Sequence, residues 1–410
     1  MNKKLGKIVI ALVIILVLGL AGYGVYRAAY GIGTFVKELP TLPEKTAETN
    51  DARTAFDEKL DTLLDYIDYY YYEEADKEAI YDTMLHATID ALGDPYSTYY
   101  NPDEYADLWE SSTGIYSGIG ATISQDRQTL IMTVVTPFAN APAYEAGMRP
   151  GDILVGVDGE DVQGQDLTDV VSRIKGPEGT TVVVTVLRGE KLIDLTITRR
   201  SIETEYVSHK MLDNGIGYIL MSEFESLTGE QFCAAVDDLA AQGMKGLIID
   251  LRGNPGGLLN IVCDCVDRIL PKDSLIVYTI DKYDKKDCDY AKTDEYLDLP
   301  MVVLVNGYSA SASEIFAGAM KDYGKATIVG TTTFGKGIVQ TIVPIMSDFS
   351  GVKLTTSHYY TPSGVCIHGI GIEPDVTVEL EEGLESELIE MRDHDNQIDA
   401  AVEVLMKQIK

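Results

Sequence analysis

Beyond residue 202, short apolar runs alternate with helical patterns. Residues 216–221 read as a strand and 229–242 as a helix; 246–251 read as a buried strand and 258–270 as a helix; 301–305 read as a second buried strand and 311–321 as a helix. Strands that alternate with helices in this order predict an α/β layer structure.

Upstream the signals differ. From about residue 111 to 200 the strands are short. Residues 181–187 and 192–198 flank Arg188-Gly189-Glu190-Lys191, a hairpin pattern, and a short helix over 167–174 precedes it. From 51 to about 92, Phe56, Leu60, Leu63, Leu64, Ile67, Ile80, Met84 and Ile89 recur at helical spacing, and Gly93-Asp94-Pro95 ends the pattern. The tyrosines 69–72 within it read as a packed and partly wet helix end. Residues 384–410 read as an acidic helix, and 27–50, with Pro40 and Pro43, as a linker.

Residues 8–26 carry no charge across 19 positions. As a helix they span about 28 Å, close to the hydrocarbon thickness of a bilayer. Lys3, Lys4 and Lys7 precede them and predict a cytoplasmic N-terminus. The stretch is long for a signal-peptide core and lacks a clear cleavage signature, so an uncleaved single-pass anchor in the cell membrane is expected, with the rest of the chain extracytoplasmic.

The net charge of -32 argues against nucleic acid as a partner, because a phosphate backbone needs a basic footprint. The five cysteines, Cys233, Cys263, Cys265, Cys288 and Cys366, form no CxxC pair and no zinc-spaced cluster, so no metal site is expected. Small core residues are the expected use of most of them.

Three stretches carry candidate chemistry. In residues 304–314 a buried strand ends, a turn of small residues follows and a helix begins; Ser311 and Glu314 fit a capping pattern. That segment by itself indicates a cap. A nucleophilic serine also needs a base and an oxyanion hole. The five histidines sit in no triad motif, and no G-x-S-x-G elbow occurs. Lys336 lies in apolar or small surroundings with no other charge from residue 326 to 347. A desolvated lysine is a neutral base. If the segment is extended, Lys336, Ile338 and Gln340 share one face, from which Gln340 can orient the amine. The Gly-rich loop in residues 250–257 follows a buried strand and offers free amides, and the Ala312 amide, at a helix start, offers another.

These stretches, with Gly93-Asp94-Pro95-Tyr96-Ser97, Gly118-Ile119-Gly120, Arg149-Pro150-Gly151-Asp152, Gly335-Lys336-Gly337, Thr361-Pro362-Ser363-Gly364 and residues 370–375, occur in the order seen in the carboxyl-terminal processing (tail-specific) proteases, which the chain resembles from about residue 90 to 378. The resemblance implies a Ser-Lys serine endopeptidase: an α/β protease core with an inserted β-rich PDZ domain and N- and C-terminal helical segments, here behind one N-terminal transmembrane helix. The implied division is an anchor over 1–26, a linker over 27–50, a helical region over 51–110, the PDZ domain over 111–200, the protease core over 201–380 and a helical segment over 381–410. Ser311 matches the family's nucleophile. Lys336, 25 residues on, matches its base, and Gln340 its assistant. Ala312, Gly256 and Gly257 match its oxyanion amides. Gly118, Ile119 and Gly120 match the loop that captures a substrate's terminal carboxylate. The implied partners are proteins or peptides with apolar C-terminal tails, and no cofactor is implied. Relatives often dimerise through terminal helices, which here would be residues 51–92 and 384–410. Lys175 stands where relatives commonly have arginine, and His368 where they often have another polar residue; no catalytic role is expected for His368.

Two other classes remain open at this point. One is a PDZ scaffold that binds tails without cutting. The other is a small-ester or amide hydrolase, for which Ser350-Gly351-Val352-Lys353 offers an S-x-x-K match without its companion motifs.

Overall fold

The computed structural model describes residues 47–381, 384, 391 and 394–409. The expected membrane span lies outside them, and no described helix is long and apolar enough to cross a membrane.

The described residues up to Ala79, from residue 47, belong to a unit by themselves. Its helix α1, Ala47–Tyr70, ends within the tyrosine run, where the sequence reads as a helix end. A second helix, α2, Lys77–Asp90, restarts after Asp76, whose Oδ1 accepts the Ala79 amide at 3.0 Å. The tyrosine run, expected to be packed and only partly wet, is exposed throughout, Tyr72 at 97%. It coincides with the end of α1 and the break, and acidic residues flank it on both sides.

In the larger unit, strand β1, Thr98–Tyr100, leads into α3, Pro102–Thr113, capped reciprocally by Asn101 and Glu104. Strand β2, Ile115–Gly118, enters a β-rich module. It comprises β3, Ala121–Gln125; β4, Met132–Pro137; α4, Pro142–Glu145; β5, Ile153–Val157; β6, Glu160–Asp161; α5, Leu167–Ile174; β7, Thr181–Arg188; and β8, Lys191–Thr198. The main sheet order is β3-β4-β5-β7-β8, and β7 and β8 form the expected hairpin. Alternate residues of β7 (Val182, Val184, Val186) fill the module's core. Buried Asp152 grips Arg188 with two bonds of 2.7 Å, which ties the Arg149–Asp152 turn to the hairpin and gives that motif a structural role. Strand β9, Arg200–Glu203, returns to pair with β2.

The α/β layer follows. Strands β10, Val207–Met211, and β11, Ile216–Met221, are followed by α6, Thr228–Ala241; then come β12, Gly246–Asp250, and α7, Leu259–Asp267. After β13, Leu275–Asp281, and β14, Lys286–Tyr290, come β15, Met301–Val305; α8, Ala312–Asp322; and β16, Ala326–Gly330. The chain then forms β17, Ile338–Ile345; β18, Ser350–Tyr360; β19, Val376–Thr377; and α9, Asn396–Gln408. Strands β10-β11-β12-β15-β16-β19 make one sheet, parallel except for β10. Because β12 and β15 are buried at every position, both faces need cover. Ile249 and Val303 pack with α6–α8 on one face; Ile248 and Val302 pack with Ile398, Ala401 and Leu405 of α9 on the other. The acidic C-terminal helix is thus a layer of the core, observed from Asn396 and capped by Asp395.

A second sheet, β1-β18-β13-β14 with β17 on β18, joins segments far apart in sequence. All five cysteines are free, and Cys263 and Cys265 are buried as small core residues.

Candidate active site

Ligand sites in parallel sheets lie beyond the carboxyl ends of the strands. Here the loops after β12 and β15 meet at that edge. Of the three serines at the head of α8, two are structural. Ser309 Oγ donates to the Leu251 carbonyl at 2.7 Å, and Ser313 Oγ to the Asn254 carbonyl at 3.0 Å; both residues are fully buried. The Ala310 amide also donates to the Asn254 carbonyl. Between them Ser311 is only partly buried and has φ 53°, ψ -112°, a positive-φ conformation that is strained for a non-glycine residue.

Glu314, one turn on and fully buried, joins this turn to the lysine segment. Its Oε2 accepts the amides of Ser311 (2.9 Å) and Lys336 (2.8 Å); its Oε1 accepts the Gly335 amide (2.7 Å) and Thr333 Oγ1 (2.6 Å). Four donors offset the cost of burying a carboxylate. The capping pattern read from the sequence is present, and the capping residue does more: it sets the backbones of both candidate residues. Its S-x-x-E spacing was visible, but its bonds to residues 333–336 were not.

The Lys336 side chain is half-buried. Its Nζ lies over the Tyr96 ring, 4.6 Å from the centroid. Among the described residues Nζ has no hydrogen-bond or ion-pair partner, and none joins it to Ser311. Burial holds the amine below the usual lysine range; the charge of Lys353 acts in the same direction, and Asp94 and Glu314 oppose it. Among the described residues no hydrogen bond joins Gln340 to the amine. The register with β18 skips Thr356 between the Val339–Ser357 and Gln340–Thr355 pairs, and Gln340 Nε2 reaches Thr355 Oγ1 at 3.5 Å.

The three expected oxyanion amides differ. The Ala312 and Gly257 amides donate to no acceptor among the described residues, whereas the Gly256 amide is taken up by Asn254 Oδ1 at 2.9 Å. Gly256 abuts the serine: a Cβ there would stand 2.8 Å from Ser311 Cβ and 2.9 Å from the Ala312 nitrogen. Gly257 presses on Phe224, whose carbonyl oxygen a Cβ would meet at 2.3 Å.

In the β-rich module, Gly118, Ile119 and Gly120 border a groove of about 400 Å³ walled by Ala121 and Ile123 of β3 and Val171 and Ile174 of α5. Lys175 closes one side and pairs with Glu110 at 2.5 Å. His368 packs its backbone on Gly337 and its ring near His358; among the described residues no hydrogen bond or ion pair joins it to Ser311 or Lys336.

Comparison with known proteins identifies the family. The description of peptidase family S41 matches residues 215–378, and that of the PDZ domain matches residues 133–188. The carboxy-terminal processing protease CtpA of Bacillus subtilis (strain 168) is 36% identical over 340 residues, covering 83% of this chain and 72% of that protein. The carboxy-terminal-processing protease of Bartonella bacilliformis is 32% identical over 360 residues, covering 85% and 81%. A solved structure of a photosystem II D1 C-terminal processing protease is 32% identical, covers 76% of this chain and 85% of its own, and has a TM-score of 0.47.

Proposed function

We propose a mechanism for a chain that belongs to the carboxy-terminal processing proteases, the serine peptidases of family S41 with a PDZ domain. The PDZ groove beside Gly118, Ile119 and Gly120 takes the apolar C-terminal tail of a protein substrate as an added strand. Neutral Lys336 accepts the Ser311 hydroxyl proton, and Ser311 Oγ attacks a peptide carbonyl. Negative charge develops on that oxygen against the amides of Ala312 and Gly257, with Gly256 keeping the loop against the serine. Lys336 returns the proton to the leaving amine, then activates the water that releases the acyl-enzyme. Gln340 assists once the amine swings from Tyr96 toward Ser311.

The shared carboxylate of Glu314 carries this reading, because it couples the backbones of the two residues the mechanism needs. Ser311→Ala and Lys336→Ala should each abolish cleavage of an unfolded protein substrate while leaving the circular dichroism spectrum unchanged. Full turnover by either variant refutes the assignment, and an intact substrate with the parent protein favours a binding scaffold.

The uncharged residues 8–26 behind three lysines support a single-pass cell-membrane anchor with the protease outside. Protease protection of intact cells tests the orientation. Association through the terminal helices is part of the same reading, and sedimentation of the extracytoplasmic portion tests it.

A further inference from the structure

We propose that Tyr96 is a positioning residue for Lys336: its ring walls one face of the amine off from water and sets where the amine stands. The inference rests on the reading of Lys336 as the base.

The contact is the 4.6 Å approach of Nζ to the ring centroid, in the absence of any hydrogen-bond or ion-pair partner for Nζ among the described residues. The ring is placed independently of the lysine. Asp94 Oδ1 accepts the Tyr96 amide at 3.0 Å, and Asp94 Oδ2 accepts Ser97 Oγ at 2.6 Å. Buried Ser97 in turn accepts the Thr355 amide at 3.1 Å, and Thr98–Tyr100 pairs with residues 351–353 of β18. Tyr96 therefore hangs from a turn stitched to the second sheet.

The charged groups facing the amine are Lys353 from β18, Asp94 from the same turn and Glu314 from α8. Two of them are carboxylates and favour the ammonium, so low basicity has to come mainly from exclusion of water, which agrees with burial as the leading cause of the depressed pKa. A ring face attracts a cation, but more weakly than the hydration it displaces.

The test is the pH dependence of kcat/KM on a peptide without titratable side chains. Tyr96→Ala should move the rising limb to higher pH, and for every pH unit the limb moves, the neutral-amine fraction on it falls about tenfold. Tyr96→Phe keeps the ring and should leave the limb in place. Tyr96→Gln, which brings a hydrated side chain of similar reach, should move it as alanine does if the alanine variant does not fold. A limb unmoved or lowered in a folded Ala or Gln variant overturns the proposal, as does a limb moved by Phe as far as by Ala. Lys336→Ala separates the two levels. Its full turnover would sink the base assignment; its inactivity beside an unmoved Tyr96→Ala limb would sink the role of Tyr96 alone.

Discussion

The backbone amides of Ser311 and Lys336 donate to one and the same carboxylate oxygen, Glu314 Oε2, at 2.9 and 2.8 Å. Residues 25 apart in sequence are thereby held as a pair by a third residue that bonds to both backbones at once. The backbones are set while the lysine Nζ makes no hydrogen bond or ion pair among the described residues, which suits the proposed movement of Lys336 as a base from Tyr96 to the hydroxyl. Orientation of this kind is a large part of what an active site supplies.

Glu314→Gln should cost at least about 2 kcal/mol of stability, because the new amide nitrogen faces N–H donors and leaves them unpaired in a dry site. It should also lower kcat at least about tenfold through loss of registration. Urea unfolding and steady-state kinetics read the two effects, and a variant with parental kcat would disprove the bridging role.

Gly256→Ala places a methyl 2.7 Å from the Ala310 oxygen and 2.9 Å from the Ala312 nitrogen, at φ 106°. The strain should cost about 1–3 kcal/mol. Displacement of the proposed oxyanion loop should lower kcat about 100-fold, the scale of losing one oxyanion donor. KM should change far less, which separates this outcome from a loss of substrate binding.

Arg252, fully buried, bonds Asp250 on its own strand-end loop and Asp395 (2.9 Å) and Gln397 (2.8 Å) at the start of α9. Asp395→Ala removes one partner of a buried charge and the cap of α9, a loss of about 3 kcal/mol. Asp250 keeps the guanidinium paired and holds the loss to the lower end of the usual range. Chemical denaturation measures it; a change below about 1 kcal/mol would contradict the network's structural weight.

Burial, helped by the charge of Glu223, pushes the Glu225 carboxyl up to about 7 from an ordinary 4.5. The folded state then holds a proton that the unfolded chain releases, so this contribution is complete below 4.5 and is lost as pH rises through about 7. The melting temperature should fall between about pH 5 and pH 8, and Glu225→Gln should flatten that fall. Glu223, itself raised by burial, leaves a residual slope. Equal slopes in parent and variant would rule out Glu225 as the titrating group.

The sequence by itself determined the elements whose signals are local. Strands 216–221 and 301–305 and helix 167–174 were legible from apolar runs and periodicity, and the structure bounds them as Ile216–Met221, Met301–Val305 and Leu167–Ile174. Ser311 at a helix start and Lys336 in uncharged surroundings were legible for the same reason. The second sheet was not, since its strands pair residue 98 with 353 and 278 with 360, and no local pattern encodes such partners. Tertiary structure alone decided that Glu314 spans both segments, that Tyr96 lies against the amine, that Gln340 reaches Thr355, and that the Gly256 amide is taken up by Asn254. Each depends on where distant backbone segments meet, and that is set by packing and by the pairing of buried polar groups once the chain has closed around them.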